Sequence, residues 1–206
     1  MEKTFFTAKR ITGMAVLLAL VIVLQAFGGS ISIGAVQLNF TLIPIVLGAI
    51  LYGVVVGGIL GFACGVVVLI QVIMGLSPFY TLIWTHTPVV AALTCVVKTT
   101  VAGLVSGWLF KLIARKNPYV AVFVAAGVVP IINTALFIVG CLFMGESITL
   151  FQNMLPDFAG MNPFTFILVG LVTFNFFIEL AINLVLAPVV YRVICTLDKS
   201  YRKEKV

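Results

Sequence analysis

The stretch Phe40–Met74, FTLIPIVLGAILYGVVVGGILGFACGVVVLIQVIM, contains no charged residue. As one helix it would extend about 52 Å, against a hydrocarbon core of about 30 Å. It is too long for a single crossing and reads as two helices, over 40–56 and 58–74, turning near Gly53–Gly58. Pro44 falls in the first turn of the earlier helix, where the missing N–H costs nothing.

The rest of the chain continues in the same character. Of its 206 residues 63% are hydrophobic and 9% charged, where soluble domains carry about 25% charge. Mean hydropathy is +1.29. These values describe an all-α integral membrane protein. Eleven of the 12 Lys and Arg residues lie in three patches: Lys3/Lys9/Arg10, Lys111/Arg115/Lys116 and Arg192/Lys199/Arg202/Lys203/Lys205. Such patches at the ends of apolar spans are cytoplasmic anchors, so the net charge of +6 calls for a lipid bilayer and no nucleic acid.

Apolar runs and turn signals predict one transmembrane domain over 1–206 with six helices, at 11–27, 40–56, 58–74, 87–113, 119–144 and 164–193. Six crossings place all three basic patches, and both termini, on the cytoplasmic side. The segments 28–39, 75–86 and 145–163, which lack Lys and Arg, then read as outer loops. Merging 40–74 into one crossing would put two patches outside. Lys9-Arg10 followed by an apolar run also has the look of a signal peptide. Ile11–Phe27 is long enough to span, however, and reads as a retained first helix.

Several chemistries are disfavoured. Cys64, Cys95, Cys141 and Cys195 stand singly, without CxxC spacing, and read as small apolar side chains. A lone histidine, His86, offers no metal site, and no HExxH motif or paired carboxylates occur. No cofactor motif and no GxxxxGKS/T phosphate loop is present. An intramembrane enzyme lacks a constellation. Energised work would need ATP hydrolysed by another subunit.

Polar residues inside the spans are few. Lys98 lies about 16 Å below the outer end of the fourth helix, and Glu179 about 22 Å below that of the sixth. A charge at the bilayer centre costs at least about 2.5–3.5 kcal/mol, so both side chains turn inward. They either form a structural ion pair or line a site. Asn175, Glu179 and Asn183 fall at i, i+4 and i+8 on one helix face. Asn133 and Thr134 follow Pro130, which kinks its helix and frees a carbonyl one turn earlier. Trp84, Thr85 and His86 sit at the outer mouth of the fourth helix, and Gln37 and Asn39 where the first loop meets the second helix. Together these could line an outward-facing cavity suited to a polar small molecule carrying a ring.

Small residues mark close helix approaches: Gly57, Gly61 and Gly65, Gly103 and Gly107, and Ala15 with Ala19. Six spans in this length, the motif Ala15-Val-Leu-Leu-Ala19, the segment Leu38-Asn-Phe-Thr-Leu-Ile-Pro-Ile-Val-Leu-Gly-Ala, the run Lys98-Thr-Thr-Val-Ala-Gly103 and the Asn175–Asn183 face carry a resemblance. In this combination the chain resembles the substrate-binding S component of energy-coupling factor (ECF) vitamin transporters, in the broad riboflavin-type group. The resemblance implies capture of a vitamin from outside, with no chemistry on it. It implies partners too: a membrane coupling protein (EcfT-like) and two ABC ATPases. By the same resemblance Ala15 and Ala19 would touch the coupling protein, the first loop would act as a lid, and the outer halves of the last three helices would form the pocket. A flavin is the first expectation for the substrate; an anionic micronutrient such as pantothenate, held by Lys98, is the second. A self-sufficient ion-coupled carrier, with Lys98 and Glu179 as a proton relay, is the alternative of a different class. The absence of a repeated half counts against it.

Overall fold

The computed structural model describes residues 8–28, 32–33, 36–37 and 40–197. Asn39 lies outside them, as do Lys3 and the basic residues from Lys199 onward. In chain order the elements are α1 (Ala8–Gly28), the antiparallel pair β1 (Ser32–Ile33) and β2 (Val36–Gln37), α2 (Leu42–Tyr52), α3 (Val54–Ile73), α4 (Pro78–His86), α5 (Pro88–Ile113), α6 (Pro118–Phe143), α7 (Gly145–Asn153), α8 (Pro163–Phe166) and α9 (Thr173–Leu197). A π-helical stretch, Ile167–Val172, joins α8 to α9, so that Pro163–Thr196 forms a single apolar rod.

Among the described residues five helices are long and apolar enough to cross a membrane; α2 is shorter. Its 11 residues extend about 16 Å, half the hydrocarbon thickness, so the helical part of the predicted span over 40–56 is shorter than the hydropathy suggests. Gly53 stops it. That residue adopts φ 104°, a conformation open to glycine, and it reverses the chain into α3. At the other end of α2, Thr41 Oγ1 lies 3.0 Å from Cys64 Sγ, halfway along α3. The hairpin therefore fills only the half of the bundle nearest the basic patches.

The α3–α5 seam is the closest in the bundle. A Cβ placed on Gly65 would meet the Cys95 carbonyl at 2.7 Å, one on Gly57 the Gly103 carbonyl at 2.7 Å, and one on Gly107 the Val54 Cα at 2.9 Å. Gly61 has the same relation to the Thr99 carbonyl. Without a hydrophobic force between helices in lipid, this contact of backbones is what locks α3 to α5. It points Thr99 into the seam and leaves the neighbouring Lys98 facing α6.

By contrast α1 lies at the edge, with 11% of its span buried. Val21 and Gln25 are its buried side chains among those described. Gln25 Nε2 donates to Gln71 Oε1 (3.1 Å) and Gln71 Nε2 donates back to the Gln25 carbonyl (3.0 Å), which ties α1 to α3. Two segments read from the sequence as outer loops are partly helical. The α4 helix begins at an Ser77-Pro78 cap, where Tyr80 N donates to Ser77 Oγ (3.2 Å), and α7 follows α6 after a single residue. Thr87 and Ser147 hydroxyls, 3.1 Å apart, fasten these outer helices together.

Candidate functional site

Beneath α4 and α7 a cavity opens between α1, α3, α5, α6 and the π-helical end of the last rod. Lys98 on α5 and Asn133 on α6 each lie ten residues below the outer ends of their helices, Pro88 and Phe143, so both sit about 15 Å down. Both line the cavity, as do Asn175 and Glu179 on α9. Asn133 is 5% exposed and Glu179 7%. Asn133 Oδ1 has no hydrogen-bond partner. A buried acceptor of this kind costs about 1–3 kcal/mol unless something satisfies it, and it is open to a donor that enters the cavity.

The two charges share this space, and an ion pair lies outside it, between His86 Nδ1 and Glu146 Oε1 at 3.9 Å. Lys98 Nζ sits 5.1 Å from the centroid of the Phe137 ring. A cation over a ring face is held by its quadrupole and still keeps N–H donors available.

The cavity's outer end is closed by aromatic side chains. Phe79 of α4 is 1% exposed and packs tilted against Phe151 (5.2 Å) and edge-on to Phe137 (6.4 Å); Phe166 of α8 packs on Phe151 (6.3 Å) and Phe158 (5.3 Å). Tyr80 and Phe176 also line the interior. Burial pushes the Tyr80 phenol well above its ordinary range, so it stays a neutral hydroxyl at any physiological pH. The π-helical stretch delivers Leu171 and Val172 to the same wall, with Thr173 Oγ1 donating to the Leu168 carbonyl five residues back (2.6 Å). Wide turns of this sort distort a helix locally and recur at functional sites.

Not every residue singled out from the sequence meets here. Asn183 shares the α9 face with Asn175 and Glu179 but lies one turn deeper, donating Nδ2 to the Glu179 carbonyl at 2.8 Å. Trp84 packs against the core from α4 without lining the cavity, and His86 is exposed and paired with Glu146. Gln37 is described only as part of β2. Ala15 and Ala19 lie on the exposed face of α1. Thr134 lines the cavity beside Asn133 as expected, while Gln25, Thr94, Phe79 and Tyr80 line it without having been predicted. Gln25 had a signal: it is a lone amide inside an apolar helix. Phe79 and Tyr80 had none, because a loop was expected there.

The cavity encloses about 70 Å³. Ligand pockets usually hold about 300–1,000 Å³, so a ring system would fit only with the lining side chains moved apart.

Comparison with known proteins now adds one decisive finding. The family model for the substrate-specific component of ECF transporters matches residues 9–191. The chain belongs to that family. It is thus the substrate-specific subunit of an ECF transporter, a multi-pass membrane protein working with a coupling protein and ATPases on a small-molecule substrate. No match is found among curated proteins.

Proposed function

We propose that this S component captures a vitamin, a flavin first, from the outer face of a bacterial cytoplasmic membrane, and presents it to its coupling protein and two ATPases for ATP-driven uptake. What supports a ring-bearing vitamin is the lining itself: Phe79, Tyr80, Phe137 and Phe176 surround the polar group of Lys98, Asn133, Asn175 and Glu179. Flat rings stack on such side chains, while amide and charged groups read the ring's polar edge. A thermal-shift screen of the purified protein against a vitamin panel tests this. Riboflavin at about 100 times its Kd should stabilise the fold by about 2.7 kcal/mol. Absence of stabilisation by any vitamin would sink the proposal.

One observation favours a second substrate. Lys98 rests over Phe137 and takes part in no ion pair among the described residues, leaving its ammonium able to meet a carboxylate. Stabilisation by pantothenate and not by riboflavin in the same screen would select that anionic micronutrient. Ala15 and Ala19, on the exposed face of α1, are the proposed contact with the coupling protein.

A further inference from the structure

A second, larger cavity lies at the opposite end of the bundle, where the basic patches gather. It encloses about 700 Å³ around the α2–α3 turn, between the start of α1 and the end of α5. Three cations line it: Arg10 from α1, and Lys111 and Arg115, which stand at i and i+4 on α5. No acidic side chain lines it among the described residues.

The floor is backbone. Gly53 and Val54 line the cavity, and a Cβ on Gly53 would meet nothing within 4 Å, so the space above this turn is open. Val54 starts α3, whose first turn carries no side-chain cap and no acidic residue. The last turns of α2 and α5 also meet this cavity, so the helix dipoles offset one another and the side-chain cations carry the positive potential. Basic side chains gathered in one groove suit a phosphate-type anion.

Two sources could supply one: a dissolved phosphate or a phospholipid headgroup. The walls decide between them. Leu51 and Val55 flank the cations, Val55 is 61% exposed, and the groove sits where apolar spans end. Free phosphate has no use for an apolar flank at the membrane interface, whereas a lipid lays its acyl chains along it. Basic pockets between helices on the cytoplasmic side are suited to anionic headgroups. We propose that this groove binds the phosphate headgroup of an anionic phospholipid from the cytoplasmic leaflet.

The test uses the full chain in phosphatidylcholine nanodiscs with increasing phosphatidylglycerol, read by lipid retention in native mass spectrometry and by melting temperature. Wild type should retain phosphatidylglycerol selectively. The double variant Lys111→Gln/Arg115→Gln should lose about thirtyfold in that preference, from roughly one surface interaction per cation. Either single variant should lose about fivefold by the same reckoning, which keeps the test open should the double variant insert poorly. Lys116→Gln, equally basic and on the same side but outside the groove, should behave as wild type. Retention unchanged in the double variant, or lost equally in Lys116→Gln, would overturn the site. Equal stabilisation by millimolar inorganic phosphate in pure phosphatidylcholine would overturn the lipid in favour of a free anion. No lipid preference, with the double variant failing instead to co-purify with the coupling protein, would replace the lipid with an acidic protein partner.

Discussion

Lys98 and Glu179 are the side chains most costly to keep at this depth, and both line the outer cavity. Each is buried or half-buried about midway through the bilayer, facing a space that also holds the unsatisfied Asn133 Oδ1. Loss of one charge-assisted hydrogen bond to a ligand is worth about 1.5–3 kcal/mol, so Lys98→Ala and Glu179→Gln should each weaken vitamin binding about 10- to 150-fold. The melting temperature of the unliganded variants is the control. If both variants lose stability yet bind normally once folded, the two charges are structural. Asn133→Leu has the opposite expected signature, a more stable apo protein that binds more weakly, because it removes a buried acceptor without a partner. A variant less stable than wild type would show that the amide holds the fold.

Among the elements, the close α3–α5 approach is what sets the position of Lys98. Gly61 faces the Thr99 backbone, one residue from Lys98, so Gly61→Leu must push α5 away and displace the lysine with it. Overpacking of this kind typically costs about 1–3 kcal/mol, and denaturation in detergent should show it together with weakened binding. If Gly61→Leu melts and binds like wild type, the two helices are not held as described. The Gln25–Gln71 exchange is a weaker fastening, since hydrogen bonds between membrane helices average about 0.6 kcal/mol and reach about 1.7. Gln71→Leu should lower stability within that range. Much of this level was legible. Charge-free runs, Gly spacing and X-Pro signals located the long helices, and the i, i+4, i+8 face of α9 is buried throughout. Two features were not legible. The shortness of α2 depends on one glycine at φ 104°, and neither hydropathy nor length distinguishes that turn from one a few residues later. The roof formed by α4 and α7 was missed because hydropathy finds spans, while short amphipathic helices outside the membrane depend on their caps and on aromatic packing.

For the molecule as a whole, the proposed function gives capture to the outer cavity and coupling to the edge helix. The cavity faces away from the basic patches, and α1 exposes Ala15 and Ala19 along its flank. Ala15→Trp and Ala19→Trp should therefore leave vitamin binding intact and abolish ATP-dependent uptake by the assembled transporter. Unchanged uptake would move the coupling surface elsewhere. The chain alone in liposomes should not accumulate vitamin under a proton gradient; accumulation would favour the self-sufficient carrier. Which of the predicted residues met was decided at this scale too. Lys98, Asn133, Asn175 and Glu179 come from three helices and converge because depth and inward burial were both readable. His86 and Trp84 share the depth of the mouth but belong to a helix whose fold was not foreseen. The most direct test of the central claim is a calorimetric titration of riboflavin, then pantothenate, into purified wild-type protein and into Glu179→Gln. The predicted result is saturable one-to-one binding of at least one of them by the wild type, weakened at least about tenfold in a variant that melts normally. No binding of either vitamin, or equal affinity in a well-folded Glu179→Gln, would contradict it.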